Sequence, residues 1–171
     1  CTEFGPMKYW DTSMVTNMSE LFAGMKSFNE DISDWNVSGV TKMVQMFYFA
    51  KAFNQPLDKW NVSKANNIIQ MFSSAINFNQ PLKSWDVSNV TTMGEMFHGA
   101  TKFNQPLNNW NVSKASNISG VFNTAKSFNQ PLDNWNVLNV TNMNLLFYNA
   151  TSFNQPLNNW NVSKASNISG V

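Results

Sequence analysis

Few side chains in the chain could carry out catalysis. Its 171 residues include one histidine, His98, and one cysteine, Cys1. Hydrolysis requires a nucleophile beside a base, or two carboxylates a suitable distance apart. The ten acidic residues are spread along the sequence, and their one cluster, Glu30, Asp31 and Asp34, is typical of a solvated surface. We therefore predict no enzyme activity and no catalytic residue, and we expect His98 to face solvent.

Metal, cofactor and nucleic-acid binding are disfavoured by the same inventory. A single cysteine cannot supply the several thiolates of a structural zinc site. All eleven basic residues are lysine, which lacks the forked donors that arginine offers to phosphate, and the net charge is only +1. We predict no metal, no cofactor and no nucleic-acid partner. No apolar run approaches the roughly 18 residues of a spanning helix, so we also predict no membrane span in this segment.

The side chains that do form a pattern recur every 25 residues. A constant period in this range indicates a repeat array, in which each unit buries its apolar side against its neighbours. Six phenylalanines from Phe28 to Phe153 keep the period, and all of the tryptophans do so. We predict that the tryptophans form a stacked structural column in the core. This column contains Trp10, Trp35, Trp60, Trp85, Trp110, Trp135 and Trp160.

Two kinds of hydrophobic spacing alternate within each repeat. The segment 60–62, Trp-Asn-Val, alternates in polarity and predicts a short strand whose apolar side chains point inward. Between residues 43 and 50, apolar side chains at i, i+3, i+4 and i+7 predict one face of a two-turn helix. Together these elements predict an α/β repeat solenoid that is leucine-rich-repeat-like. It would be a right-handed coil of 25-residue units, each with a parallel β-strand and a short helix or 3-10 turn.

Two columns of polar residues follow from the same period. An Asn follows the Phe of each repeat, and we predict that these amides form a ladder that bonds to the backbone of the adjacent coil. The ladder contains Asn29, Asn54, Asn79, Asn104, Asn129 and Asn154. The residue after each Trp should point outward from the predicted strand, which makes these positions a candidate binding face. That face contains Asn36, Asn61, Asp86, Asn111, Asn136 and Asn161.

The motifs of one repeat resemble those of a known family. The pattern L-x-x-W-x-V is followed by V-T-x-M-x-x-M-F, and F-N-Q-P-L opens most of the repeats. In these motifs the chain is similar, over essentially its whole length, to BspA-like leucine-rich-repeat surface proteins of the mycoplasma type. The resemblance implies a secreted or lipid-anchored surface protein, extracellular or on the cell surface, that is used in adhesion or host contact.

Residues 1–171 are expected to form one array of about seven coils, incomplete at both ends and without capping coils. This organisation predicts a non-enzymatic structural or adhesive role, in which coils stack into a rod or filament and present an Asn-rich strand face. The expected partner is then a second copy of the chain, stacked end to end. The alternative is a surface-displayed binding module that recognises a host protein, a matrix protein or a glycan through the strand face.

Overall fold

Successive repeats lie directly on one another in the structure, a computed structural model that describes residues 5–170. Residues 25 apart pair across each junction through six isolated parallel bridges within this range. The bridges join, in order, Asn17, Lys42, Asn67, Thr92, Asn117, Asn142 and Asn167. The one helix among the described residues is a 3-10 turn, Met7–Tyr9. Cys1 lies outside the described residues.

The predicted α/β solenoid of strand-plus-helix coils is wrong. The segment 60–62 is not a strand, because a turn closes on each side of it. The Trp60 N–H donates to the Leu57 carbonyl at 3.0 Å, and the Ala65 N–H donates to the Val62 carbonyl at 2.8 Å. The two turns leave a single residue between them, which is too little extended chain for a ladder. Parallel pairing occurs instead at isolated single residues. Residues 5–170 therefore contain no β-sheet.

A segment that we call the turn ribbon replaces the predicted helix; it comprises residues 42–50 and their equivalents at intervals of 25. Its backbone N–H groups alternate between two kinds of partner. The Gln45 N–H donates to the Ile69 carbonyl of the next repeat at 2.9 Å, whereas the Tyr48 N–H donates back to the Gln45 carbonyl at 3.0 Å. An α-helix would direct each N–H to the fourth residue before it. The ribbon instead uses about every second N–H to tether the neighbouring repeat.

Left-handed backbone conformations explain why the ribbon is not a helix. Two positions in each ribbon, four residues apart, have positive φ, as at Gln45 and Phe49, both at 56°. Such a residue interrupts a right-handed helix and costs roughly 1–2 kcal/mol when it carries a side chain. Glycine occupies these positions at Gly24, Gly99, Gly120 and Gly170. The others are Glu20, Gln45, Phe49, Gln70, Ser74, Glu95, Thr124, Leu145 and Asn149.

The core is a single cluster built largely on aromatic columns. The four apolar residues of the predicted helical face in segment 43–50 are all fully buried, although their backbone is not helical. Phe47 stacks on Phe53 of its own repeat with ring centroids 4.0 Å apart, and on Phe72 of the next repeat at 5.3 Å. Equivalent pairs recur along the array, so each repeat completes the core of its neighbours.

Candidate functional site

The tryptophan column lies within the core of the stack. Five of its members expose only 2–5% of their surface: Trp35, Trp60, Trp85, Trp110 and Trp135. At the two ends of the described range, Trp10 is 37% exposed and Trp160 is half-buried. The Trp85 and Trp110 rings are parallel within 1°, with centroids 6.3 Å apart, which suits offset stacking. The column therefore does not offer a ring face to a ligand along its interior.

Each indole N–H after the first repeat also donates a hydrogen bond that sequence reasoning missed. The Trp110 Nε1 donates to the Leu82 carbonyl at 3.1 Å, and the Trp85 Nε1 donates to the Leu57 carbonyl at 2.9 Å. The indole N–H groups of the other tryptophans after Trp10 make the equivalent bond. Each donates to the carbonyl of the residue three positions before the preceding Trp, as seen at Trp35, Trp60, Trp135 and Trp160. The constant L-x-x-W spacing is the signal that could have indicated it. Buried indole N–H groups usually find a partner, and here the partner is always the adjacent repeat.

The Asn column after each Phe bonds directly to the repeat that follows. The Asn79 Oδ1 accepts a bond from the Asn104 backbone N–H at 2.9 Å and another from the Gln105 Nε2 at 3.1 Å. Five such amide-to-backbone bonds, each 2.9 Å long, connect the six residues of the column. These amides hold the repeats together and are not available as a row of ligand contacts.

The candidate binding face is exposed at all six of its positions. Each member uses its Oδ1 to accept a bond from the backbone N–H two residues later, as Asn61 does from Ser63 at 3.1 Å. Asp86 makes the same turn with Ser88 at 3.0 Å, and hydrogen bonds from Ser88 lower the pKa of the Asp86 carboxyl. These Asx turns fix the side chains, while the Asn NH2 groups have no hydrogen-bond partner within the described residues.

A shallow groove of about 450 Å³ runs beside the charged part of this face. Its lining includes Asp58, Lys59, Asn61, Ser84 and Asp86. Both Asp58 carboxylate oxygens are already occupied, because they accept bonds of 2.9 Å from the Ser84 N–H and hydroxyl. With Asp86 held by its own turn, the two carboxylates are committed to backbone and hydroxyl donors. The groove therefore does not present a free pair of carboxylates for acid–base chemistry.

The acidic cluster near the first junction forms surface ion pairs. The Lys8 Nζ lies 3.1 Å from an Asp31 oxygen and 3.7 Å from an Asp34 oxygen, and the Lys59 Nζ lies 4.0 Å from Asp34. Hydrogen bonds from Ser33 and the bond from Lys8 lower the pKa of Asp31 to about 2. Exposed pairs of this kind contribute little to stability. The cluster is therefore a charged surface patch across the first junctions.

The single histidine belongs to a polar chain along the ribbon. The His98 Nδ1 lies 3.3 Å from a Glu95 oxygen, and its side chain is 38% exposed. The same Glu95 oxygen accepts a bond from the Gln70 Nε2 at 2.9 Å, and Gln70 accepts one from the Gln45 Nε2 at 2.5 Å. His98 thus faces a carboxylate at a half-open position. No serine, threonine or cysteine nucleophile bonds to its ring within the described residues.

Residues 5–170 contain no group of three or more histidine, cysteine, aspartate or glutamate side chains placed to hold a metal ion. In the same part of the chain, no helix has the length and hydropathy needed to cross a bilayer.

One family profile matches the chain twice, over residues 1–99 and 77–171, so the two matches together span the whole sequence. Its description reads "Mycoplasma protein of unknown function, DUF285". No curated protein matches the chain.

Proposed function

Since the chain belongs to DUF285, a family of Mycoplasma proteins of unknown function, we propose its function from its own geometry: a non-enzymatic structural and adhesive repeat protein that stacks into rods. We place it outside the cell or on its surface, in line with its resemblance to BspA-like surface proteins. The observation that supports this proposal is that one set of contacts recurs at successive junctions between repeats, as in the indole bonds to Leu82 and Leu57. An array of this kind behaves as a stiff element whose exposed columns stay in register.

Exposed apolar side chains support end-to-end contact. Among the described residues, large hydrophobic side chains with at least 36% exposure occur only in the first repeat and in the last two repeats. They are Tyr9, Trp10, Met14, Leu21 and Met25 on one side, and Leu138, Leu145, Tyr148, Val162 and Ile168 on the other. A hollow of about 230 Å³ at the second end is lined by Met143, Leu157, Trp160, Val162 and Ile168. Burying such surface drives association at roughly 25 cal/mol per Å² before entropic costs.

Backbone hydrogen bonding sets the direction of that contact. The N–H groups of the ribbons that bond to another repeat donate mostly to the following one, as in the bonds from Met18 to Lys42 and from Phe22 to Met46, although the Asn142 N–H donates back to Ser116. Counting the residues from 5 to 170, the first ribbon therefore offers carbonyls without a partner, such as that of Ser19, and the last offers N–H groups without one, such as that of Ile168. Two first repeats would oppose carbonyl to carbonyl. Head-to-tail stacking alone pairs donors with acceptors, and such heterologous contact continues into a fibre.

Formal charge favours the same arrangement. Residues 5–34 contain five carboxylates and two lysines, whereas residues 134–170 contain one lysine and no carboxylate. Two first repeats placed together would repel each other, while a first repeat on a last repeat would not.

Sedimentation velocity over a range of chain concentrations, with negative-stain electron microscopy, tests the rod proposal. We expect concentration-dependent growth of thin rods, and we expect the double variant V162E/I168E to abolish it, because it places carboxylates on the last repeat opposite the acidic first repeat. The matched control is N66E/S127E, which adds the same charge at two exposed positions of interior repeats and should leave growth unchanged. A monomeric wild-type chain at high concentration would overturn the proposal.

A second candidate function is a surface-displayed binding module for a host protein, a matrix protein or a glycan. The observation that favours it is the exposed face of fixed Asn side chains whose NH2 groups have no partner within the described residues. This function does not need end-to-end contact. Binding of a ligand by the V162E/I168E variant would therefore separate the two functions.

A further inference from the structure

We propose that the second half of the candidate binding face, extended by the column beside it, binds a neutral polysaccharide. This inference rests on the second candidate function and names its ligand class. The surface, which we call the neutral amide tract, is exposed at all of its positions. The tract comprises Asn109, Asn111, Asn134, Asn136, Asn159 and Asn161.

The tract offers an excess of hydrogen-bond donors in a fixed geometry. The Oδ1 atoms of Asn111, Asn136 and Asn161 accept backbone bonds of 3.1–3.2 Å, which orients each amide and leaves its NH2 group without a partner in the described part of the chain. The side chains of the adjacent column, such as that of Asn134, make no hydrogen bond to any residue in the range 5–170. Because the turns restrain half of these amides before binding, less side-chain entropy is lost when a ligand arrives.

Charge and composition exclude other classes of macromolecule. The equivalent positions in the earlier repeats carry Asp34, Lys59 and Asp86, but the tract itself has no charged residue. Two lysines of the same repeats, Lys114 and Lys164, already donate to the Oδ1 atoms of Asn89 and Asn139 at 2.6 and 2.9 Å. Nucleic acids and anionic glycans need a basic surface for affinity. A surface of neutral amides fits a ligand whose acceptors are uncharged hydroxyl and ether oxygens.

A protein partner fits the tract less well than a polysaccharide does. Protein interfaces depend on a few buried anchors, mostly aromatic side chains and arginine. The tract contains neither, and the interior Trp rings beneath it are buried. Exposed apolar side chains beside it are Leu138, two residues after Asn136, and Val162, directly after Asn161, and each would contact the C–H face of a sugar ring.

Repetition makes the tract suited to a polymer. Three successive repeats present the same pair of amides, and the Trp135 and Trp160 rings, which stand between the two amides of their repeats in sequence, have centroids 6.3 Å apart. A linear polysaccharide also repeats its hydroxyl groups at a constant interval, so several weak contacts can form together. Affinity should then rise steeply with the number of amide pairs, as it does for linked binding sites.

The experiment is biolayer interferometry of the full chain against immobilised neutral polysaccharides, namely a glucan, a mannan and a galactan. Heparin and gelatin serve as the anionic and protein comparisons. The first variant, N109S/N134S/N159S, uses the residue that the chain itself carries at the equivalent Ser84. The second, N111D/N136D/N161D, keeps the Asx turn that Asp86 makes and removes the NH2 donors. Neither should disturb the fold, which circular dichroism and thermal unfolding will check.

We expect at least one neutral polysaccharide to bind with little salt dependence, and each triple variant to weaken binding at least about tenfold. Ser84→Asn adds a further amide at the equivalent position of the preceding repeat, and we expect it to strengthen polysaccharide binding. The matched control is Asn77→Ser, outside the tract in a column that also contains Ser27 and Ser127, and it should bind like the wild type. Binding only to heparin or gelatin, binding that survives both triple variants, or no binding at all would overturn the inference. Rod growth is measured separately, so loss of polysaccharide binding with intact rods removes this inference and leaves the proposed rods standing.

Discussion

Truncation of an interior tryptophan is the most direct perturbation of the stack. Trp110 is 2% exposed, lies parallel to Trp85 at 6.3 Å, and donates to the Leu82 carbonyl at 3.1 Å. Trp110→Ala removes the ring and opens a cavity on both sides of a junction, so we expect a loss of about 3–5 kcal/mol in the free energy of unfolding. Trp110→Phe keeps most of the buried ring and loses the N–H bond, which is worth about 0.5–1.5 kcal/mol, together with part of the packing.

Urea unfolding followed by far-UV circular dichroism measures both losses, with the signal of each variant referred to its own folded and unfolded baselines because indole rings also contribute to it. Trp160→Ala is the matched control, since this ring makes the equivalent contacts, with Trp135 and Phe147, but is only half-buried. We expect it to cost clearly less than Trp110→Ala. A loss below about 1 kcal/mol for Trp110→Ala, or equal losses at the two positions, would refute the role assigned to the column.

Three further predictions test the ladder, the ribbon and the charged patch. Asn79→Ala should destabilise the chain by about 1–3 kcal/mol, because two donors lose their acceptor, whereas Asn154→Ala, whose Oδ1 accepts no bond within the described residues, should change thermal unfolding little. Gly99→Ala should lower the melting temperature more than Gly24→Ala: both have positive φ, but a Cβ at Gly99 would lie 3.2 Å from the Ser74 Oγ, while one at Gly24 meets nothing within 4 Å. The Asp31 carboxyl should titrate near pH 2 by NMR. Since its pKa is lowered on folding, its contribution to stability is present above about pH 4 and is lost as the pH falls toward 2. A titration midpoint near pH 4 would contradict the hydrogen bonding of this carboxyl.

The period of 25 was enough to identify which side chains share a column, but not the backbone that carries them. Segment 43–50 has the spacing of a helical face, and all four residues of that face are buried. The same burial is achieved by turns with left-handed residues at Gln45 and Phe49. Hydrophobic spacing indicates which residues are buried, and both a helix and a series of turns can bury the same four side chains. Gly24 and Gly99, 75 residues apart in one column, were the local signal of positive φ.

For the outward-facing residues, too, exposure could be predicted from the sequence but the backbone conformation could not. Exposure of Asn61 and its equivalents follows from alternation with the buried Trp60 and Val62. Their Asx turns could have been anticipated from Asn-x-Ser, a frequent turn sequence, but alternation favoured a strand instead. The donation of the indole N–H to the preceding repeat depends on how far adjacent repeats are offset. That offset is set by packing between two repeats. It therefore cannot be predicted from the residue pattern of a single repeat.

The fixed offset between bonded residues also has a genetic consequence. The hydrogen bonds described between neighbouring repeats join residues 24 to 28 positions apart, as in the pairs Met18 with Lys42 and Trp110 with Leu82. A recombination event that adds or removes one whole unit therefore recreates these contacts, whereas insertion of a single codon misaligns the columns at the junctions of the repeat that receives it. Residues 101–121 and 151–171 differ only at Lys102 and Ser152, as expected of units that have been copied. The length of the rod can thus vary between lineages by unit steps while selection on packing stays unchanged.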